Sequence, residues 1–356
     1  MAGDGFSGMR VALFTHNFLE PTHHAIAQLM GAMNDCRYSV FAKRFEDHFA
    51  LSNVVSRTVY TKGPLPQLTS AAFDLVHAIY DGKTAIRAHQ ASTSAGLPFV
   101  LSFHGGFDVH AKIHDVRYRE ASRAICEAAS AITVPCAQDR DLLHAIGVSR
   151  VAEVLPVPVV TGVRRHERRP DPHRLLLVGR LVPKKGIDTA IRAMSELPGY
   201  QLEVIGEGEL EVPLRSLVER LGLIERVRLC GYLPLAEVEQ RMLRAFALLH
   251  PARVAADGNA EGTAQVVLHA QALGLPVIAT ATGSLGWIVR HGKTGLLVPS
   301  DNPSVLAATV RSLATNSVLQ QALADLPEPA DRRVGAVAEQ LRGIYAAVAR
   351  EADSHD

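Results

Sequence analysis

Residues 174–191 read RLLLVGRLVPKKGIDTAI. The apolar run Leu175–Val178 is strand-sized and has no polar face, the mark of a strand covered on both sides. Residues 179–186 interrupt it with proline, glycine and three cations, and a helical pattern follows from Asp188 to about Glu196. Strand, polar loop and helix form the repeating unit of a parallel sheet, whose neighbouring strands need a crossover of this length.

The unit repeats outward in both directions. Downstream, QLEVIG (201–206), VRLCG (227–231), ALLHP (247–251) and PVIAT (276–280) read as strands, with helices near 212–221, 237–245 and 263–273. Upstream, VALFT (11–15), YSVFA (38–42), DLVHAI (74–79), PFVLSFH (98–104) and AITVP (131–135) form a second series, with a helix around 25–33. Between the two series, VPVVTGVRRHERRPDPH (157–173) is rich in proline and charge and lacks periodicity, as a domain boundary with a solvated arginine face would. The tail sets Val334, Val337, Leu341, Tyr345 and Val348 at helical spacing. The expected fold is therefore α/β, with two doubly wound, Rossmann-like domains over 1–165 and 166–335. A helix and frayed end over 336–356 would pack back on the first domain. Ligands of such sheets sit at the carboxyl ends of the strands, which makes the cleft between the domains the expected site.

Composition narrows the function. Lys plus Arg (37) nearly balances Asp plus Glu (36), so no net field draws the chain to nucleic acid or to an anionic bilayer. No apolar run approaches the ~20 residues of a membrane span. The start, MAGDGFSGMRVALF, lacks the basic lead and long apolar centre of a secretory signal. A cytoplasmic protein is expected, with peripheral membrane contact left open. The four cysteines have no CxxC spacing and read as reduced thiols. His23 with His24, and His110 with His114, lack the acidic or thiolate company of a zinc site, so no metal is expected.

No GxGxxG follows the first strand and no GxxxxGK[ST] loop occurs, which removes the phosphate-binding devices of a nicotinamide dehydrogenase or a P-loop ATPase. VIGEGEL (204–210) lacks the third glycine and reads as a strand-to-helix turn. Arg180 and Lys185 instead lie in a loop just ahead of a helix, and two cations with a helix N-terminus suit a diphosphate. Downstream, Glu261 and Gly262 stand at the mouth of the helix expected from Thr263, where glycine lets a ligand approach the backbone closely.

Together VGRLVPKKGID (178–188), VIGEGEL, LGLIERVRLCGY (221–232), AEGTAQVVLHAQALGLPVIAT (260–280) and HGKTGLLVP (291–299) resemble family 4 of the retaining glycosyltransferases, which have the GT-B fold. FDLVHAIY (73–80) and LPFVLSFHGGFDV (97–109) extend the resemblance more weakly into the first half. The resemblance implies transfer of a sugar from a UDP- or GDP-linked donor to a glycan, lipid-linked or small-molecule acceptor, without a metal. It implies that Arg180 and Lys185 hold the donor diphosphate and that Glu261 contacts the transferred sugar. The backbone of Gly262, Thr263, Ala264 and Gln265 would cradle the distal phosphate. His104 would lie beside the reacting sugar, with Gly105 next to it, and Asp108 is a candidate for the same loop.

Three departures accompany the match. His269 replaces the family's second acid, which grips the nucleotide ribose, and reads either as a single imidazole contact to that ribose or as a helix residue satisfied by the protein. Trp287 stands where a glutamate is usual. The loop after the first strand, THNFLEPTHHAIAQL (15–29), lacks the usual paired glycines. They keep two rivals open: a catalytically degenerate nucleotide-sugar binder, and a same-fold epimerase or phosphorylase.

Overall fold

The computed structural model describes residues 8–18, 24–45, 51–60, 67–79, 82–103, 116–327 and 330–354. His104, Gly105 and Asp108 lie outside them, as do His110 and His114. The chain divides into two compact units, Met1–Val160 with Ala330–Asp356, and Thr161–Pro329.

The first unit is built on strands β1 (Met9–Phe18), β2 (Cys36–Phe45), β3 (Val54–Val59), β4 (Leu75–Ile79), β5 (Phe99–Ser102), β6 (Ala131–Val134) and β7 (Glu153–Val154). They form one parallel sheet in the order β3-β2-β1-β4-β5-β6-β7. The order reverses beside β1, as in a doubly wound sheet. Helices α1 (His24–Ala32), α2 (Lys83–Ala95), α3 (Val116–Ala128) and α4 (Ala137–Ala145) supply the crossovers. Alternation along β1 sends Val11 and Leu13 to one face and Ala12 and Phe14 to the other, all four at most 1% exposed.

The second unit carries β8 (Arg174–Val178), β9 (Gln201–Ile205), β10 (Val227–Leu229), β11 (Ala247–His250), β12 (Val277–Thr280) and β13 (Leu296–Val298). Its parallel order is β10-β9-β8-β11-β12-β13. Between and after these strands run α5 (Ile187–Ala193), α6 (Glu211–Arg220), α7 (Leu235–Arg244), α8 (Gln265–Ala272), α9 (Leu285–Ile288), α10 (Pro303–Thr315) and α11 (Ser317–Ala324). The short strands β3, β7 and β13 were not anticipated; β3 is exposed over most of its length and carries no buried run to betray it.

Two sequence expectations need correction. The helix expected from Thr263 begins at Gln265: the Gln265 amide donates to Thr263 O at 2.8 Å, and Ala264, at φ −70° and ψ 78°, is not helical. The linker arginines are not a uniformly solvated face. Arg165 Nη2 donates to Gln271 O and Ala272 O, the closing carbonyls of α8, where a cation complements the helix dipole. Arg168 Nη2 reaches Ala245 O, and burial lowers its pKa to about 10.

The tail is a final helix, α12 (Val334–Asp353), which belongs to the first unit. Its Val337, Leu341, Tyr345 and Val348 are buried with α1 residues Ile26, Leu29 and Met30. Arg342 fastens it to Asp35 at 2.9 Å. From Tyr345 a buried polar chain crosses the sheet: Tyr345 Oη to His77 Nδ1 at 2.6 Å, His77 Nε2 to Ser102 Oγ at 2.6 Å, and Ser102 Oγ to Thr133 Oγ1 at 2.7 Å. A buried partner left unsatisfied costs about 1–3 kcal/mol. We expect Tyr345→Phe to lower the unfolding free energy by about that amount in urea titration. An unchanged midpoint would mean that His77 finds another partner.

Candidate active site

In the second unit, β8, β11 and β12 lie side by side, and the loops leaving their carboxyl ends converge. After β8 a single 3₁₀ turn, Pro183–Lys185, closes on Gly186. Pro183 pre-sets the turn's first φ. Gly186 has φ +60°, and a Cβ there would collide with the Pro251 carbonyl in the loop after β11. Glycine is required here twice, by the turn and by the close approach of the second loop. Arg253 strengthens that approach through its amide to Lys184 O and its Nη2 to Asp188 Oδ1 and Thr189 Oγ1.

The result is a charged cluster around one carboxylate. Glu261 is 5% exposed, and its Oε2 accepts from Lys185 Nζ at 2.5 Å and lies 3.1 Å from His250 Nε2. Lys184, also buried, turns its Nζ to Ala260 O at 3.1 Å. Behind Glu261, the Ser284 amide donates to its carbonyl at 3.1 Å and Ser284 Oγ donates to Gly262 O. Gly283, at φ +59°, leaves no room for a Cβ against the Glu261 carbonyl.

Burial alone would raise the Glu261 pKa. Lys185, the His250 hydrogen bond and Lys184 outweigh it, and the carboxyl is held far below its ordinary range. Burial lowers the His250 pKa, against the pull of Glu261, so the imidazole is neutral at pH 7. Lys184 is also lowered, first by burial and then by the like charges of Lys185 and Arg180. Arg180 itself is exposed, and among the described residues its guanidinium forms no ion pair or hydrogen bond with the chain. The cluster thus sets Arg180, Lys184 and Lys185 against Glu261 and the exposed Asp257, with the first turn of α8 just beyond. Three cations against two carboxylates beside a helix start are chemically suited to an anion.

Two family models match the chain: glycosyl transferases group 1 over residues 163–326, and a glycosyl transferase 4-like domain over 7–159. Between them they span most of both units, up to the segment that carries α12. The chain belongs to the group 1 glycosyltransferases. A curated relative, the amylovoran biosynthesis glycosyltransferase AmsK of Erwinia amylovora, is 33% identical over 147 residues, 40% of this chain and 36% of that protein. The chain therefore aligns with only about a third of that relative's length. A GDP-mannose-dependent alpha-(1-6)-phosphatidylinositol monomannoside mannosyltransferase of Mycobacterium tuberculosis is 30% identical over 240 residues, 62% of this chain and 61% of that protein. Among solved structures, Anabaena HepE in complex with UDP and glucose superposes with a TM-score of 0.76 at 17% identity, covering 95% of this chain and 100% of that one. Together with the two parallel sheets, such neighbours establish the GT-B fold.

In this group 1 glycosyltransferase, Lys185 and Glu261 are in direct contact, and Gly262, Thr263 and Ala264 form the loop that leads to Gln265, the first residue of α8. His269 lies in another network. It is 6% exposed, and its Nδ1 stands 3.7 Å from Glu239 of α7, whose carboxylate accepts the Gly162 amide at 3.0 and 3.1 Å. Burial raises the Glu239 pKa, with the Gly162 amide opposing. His250, Lys184 and Ser284 are site residues that sequence reasoning passed over. His250 carried a usable signal, since it closes a buried strand at the carboxyl end of the sheet. A concavity of about 660 Å³ at the other end of this sheet is lined by mixed charges, with Arg241 and Arg174 paired to Glu203, and it holds none of these residues. Among the described residues no group of three or more metal-ligating side chains is assembled, and no helix is long and apolar enough to cross a membrane.

Removing one partner of a buried ion pair costs about 3–5 kcal/mol, so Lys185→Ala should destabilise the fold by that order in urea titration at pH 7. The double variant with Glu261→Gln should recover part of the loss. The cluster also fixes a pH response. Because the folded-state pKa of His250 lies below its ordinary 6.5, its contribution is full above that value and is lost as pH falls below it. The depressed Glu261 contributes above its ordinary 4.5 and loses that contribution as pH falls towards its folded value. Unfolding free energy should therefore decline in two stages on acidification, the first reduced in His250→Gln. A first stage of equal size in that variant would assign it to other groups.

Proposed function

We propose that the chain transfers a hexosyl group from a UDP- or GDP-linked donor to a glycan, lipid-linked or small-molecule acceptor, with retention at the anomeric carbon and without a metal. The excess of cations over carboxylates at the strand ends, facing the start of α8, carries this reading. As the anomeric carbon–oxygen bond breaks, the nucleoside diphosphate gains negative charge. Arg180, Lys185 and the α8 amides would stabilise that charge where a metal serves in other sites. Lys185 has three N–H donors and spends one on Glu261, which leaves two for phosphate oxygens. Glu261, fixed and ionised, is suited to accept hydrogen bonds from hydroxyls of the transferred sugar. In a front-face displacement the acceptor oxygen bonds to the anomeric carbon on the side that the diphosphate leaves. The departing phosphate oxygen takes the acceptor proton, so no protein nucleophile is needed. His104 and Gly105 keep the roles that the family resemblance gives them, and Asp108 is a candidate to touch the acceptor.

A rival reading, a binder of nucleotide sugars without turnover, draws on His269, which faces Glu239 in place of an acid free to grip a ribose. Thermal-shift titration in EDTA against UDP, GDP, ADP and TDP and their common sugar conjugates separates the cases. A ligand at a hundredfold its Kd stabilises the fold by about 2.7 kcal/mol. We expect one nucleotide series to raise the melting temperature with EDTA present, and Arg180→Ala to abolish the rise. Donor hydrolysis or transfer across an acceptor panel supports the transferase. Protection without any turnover supports the binder. No shift with any nucleotide would contradict both.

A further inference from the structure

Trp287 is the chain's single tryptophan, and its ring is turned to solvent. It lies on α9, which is locked at both ends: Leu285 and Val289 are fully buried, and the Trp287 amide donates to Ser284 O at 3.0 Å. Ser284 is the residue whose amide and hydroxyl grip the Glu261 and Gly262 carbonyls. One helical turn therefore separates the indole from the backbone that holds the candidate catalytic carboxylate. Yet the residue is 57% exposed. Among the described residues it makes no ring-stacking or cation–π contact, and its indole N–H donates to no group of the chain.

A large aromatic side chain gains most when buried or stacked, so a rigid backbone that leaves most of the ring exposed forgoes much of that gain. Between residues 255 and 304 Trp287 is the one exposed large hydrophobic residue. Its exposed neighbours in sequence are Gly286, Arg290, His291, Gly292 and Lys293, which give a hydrophobic protein interface no apolar surround. A ring-sized ligand with one apolar face and a polar rim fits better, and a pyranose has that character: its C–H face lies flat on an indole while its hydroxyls reach the polar surroundings.

We propose that Trp287 is a stacking platform for a sugar ring of the substrate, seated at the rim of the Glu261 cluster. The proposal rests on the glycosyltransferase reading and adds a specificity-determining residue to it. The sugar could belong to the donor or to the acceptor, and one titration distinguishes them because all tryptophan emission comes from this residue. Emission is followed with UDP, GDP, UDP-glucose and GDP-mannose, and with a panel of methyl hexosides and short oligosaccharides, each with and without nucleotide. Nucleotide affinity is measured in parallel by calorimetry.

A spectral shift with free saccharides assigns the acceptor ring. A shift with a nucleotide sugar, absent with its parent nucleotide and with free saccharides, assigns the donor ring. Trp287→Ala, with unchanged melting, should raise the apparent Kd or KM of the assigned sugar about tenfold, and Trp287→Phe should restore most of the loss. Two results would overturn the proposal: emission that responds to nucleotides alone and no further to sugars, or emission that responds to nothing while calorimetry shows nucleotide binding. Absence of all nucleotide binding would count against the transferase reading, and the saccharide arm alone would then decide the role of Trp287.

Discussion

A carboxylate buried to 5% exposure remains ionised only if its charge is met inside the protein, and much of the second unit's local architecture serves to meet the charge of Glu261. Lys185 reaches it from the loop after β8 and His250 from the end of β11. For both to arrive at one oxygen, the β8 loop must turn tightly and the β11 loop must press against it. That explains Gly186 with its left-handed backbone beneath the Pro251 carbonyl, and Gly283 beneath the carbonyl of Glu261 itself. Lys184 and Arg253 add backbone ties between the same loops.

The cluster is electrostatically incomplete in a way that matters for function. One lysine is satisfied by Glu261 and another by a carbonyl, while Arg180 stands exposed at the edge. Burial depresses Lys184 most, and Lys185 and Arg180 add repulsion against the attraction of Glu261. An incoming diphosphate would relieve that repulsion and find its counter-charges already oriented, which is the preorganisation that stabilises a leaving group at little cost in rearrangement. The first unit shows the opposite design. There the polar groups of Tyr345, His77, Ser102 and Thr133 satisfy one another within the core, and Tyr345 ties α12 to a sheet whose last strand ends at Val154.

Most of this fold can be read from the sequence because parallel strands announce themselves as short apolar runs. Leu175–Leu177, Leu248–Leu249 and Val277–Ala279 are buried on both faces, as their composition requires. Strand β3 could not be read that way, since its residues are largely exposed and its pairing with β2 is set by tertiary contact. Arg180 and Lys185 were legible from the cations and helix start of the loop-to-helix pattern, whereas Glu261 was singled out by its place at the mouth of the next helix and by the family resemblance. The contact between Lys185 and Glu261 was not, because 76 residues separate them and only the order of β8, β11 and β12 brings their loops together. His269 shows the same limit. Its spacing from Glu261 places it on α8, but only the packing of α8 with α7 reveals the buried Glu239 that faces it.

The central claim is that the Lys185–Glu261 cluster and the start of α8 form one preorganised anion site for a nucleotide sugar. Amide hydrogen exchange in metal-free buffer, with and without UDP-glucose or GDP-mannose, tests it most directly. Slowed exchange is expected, confined within the second unit to residues 179–187 and 261–268. Protection centred instead on the concavity around Arg228 and Arg241, or binding shown by calorimetry with no protection of these two segments, would contradict it.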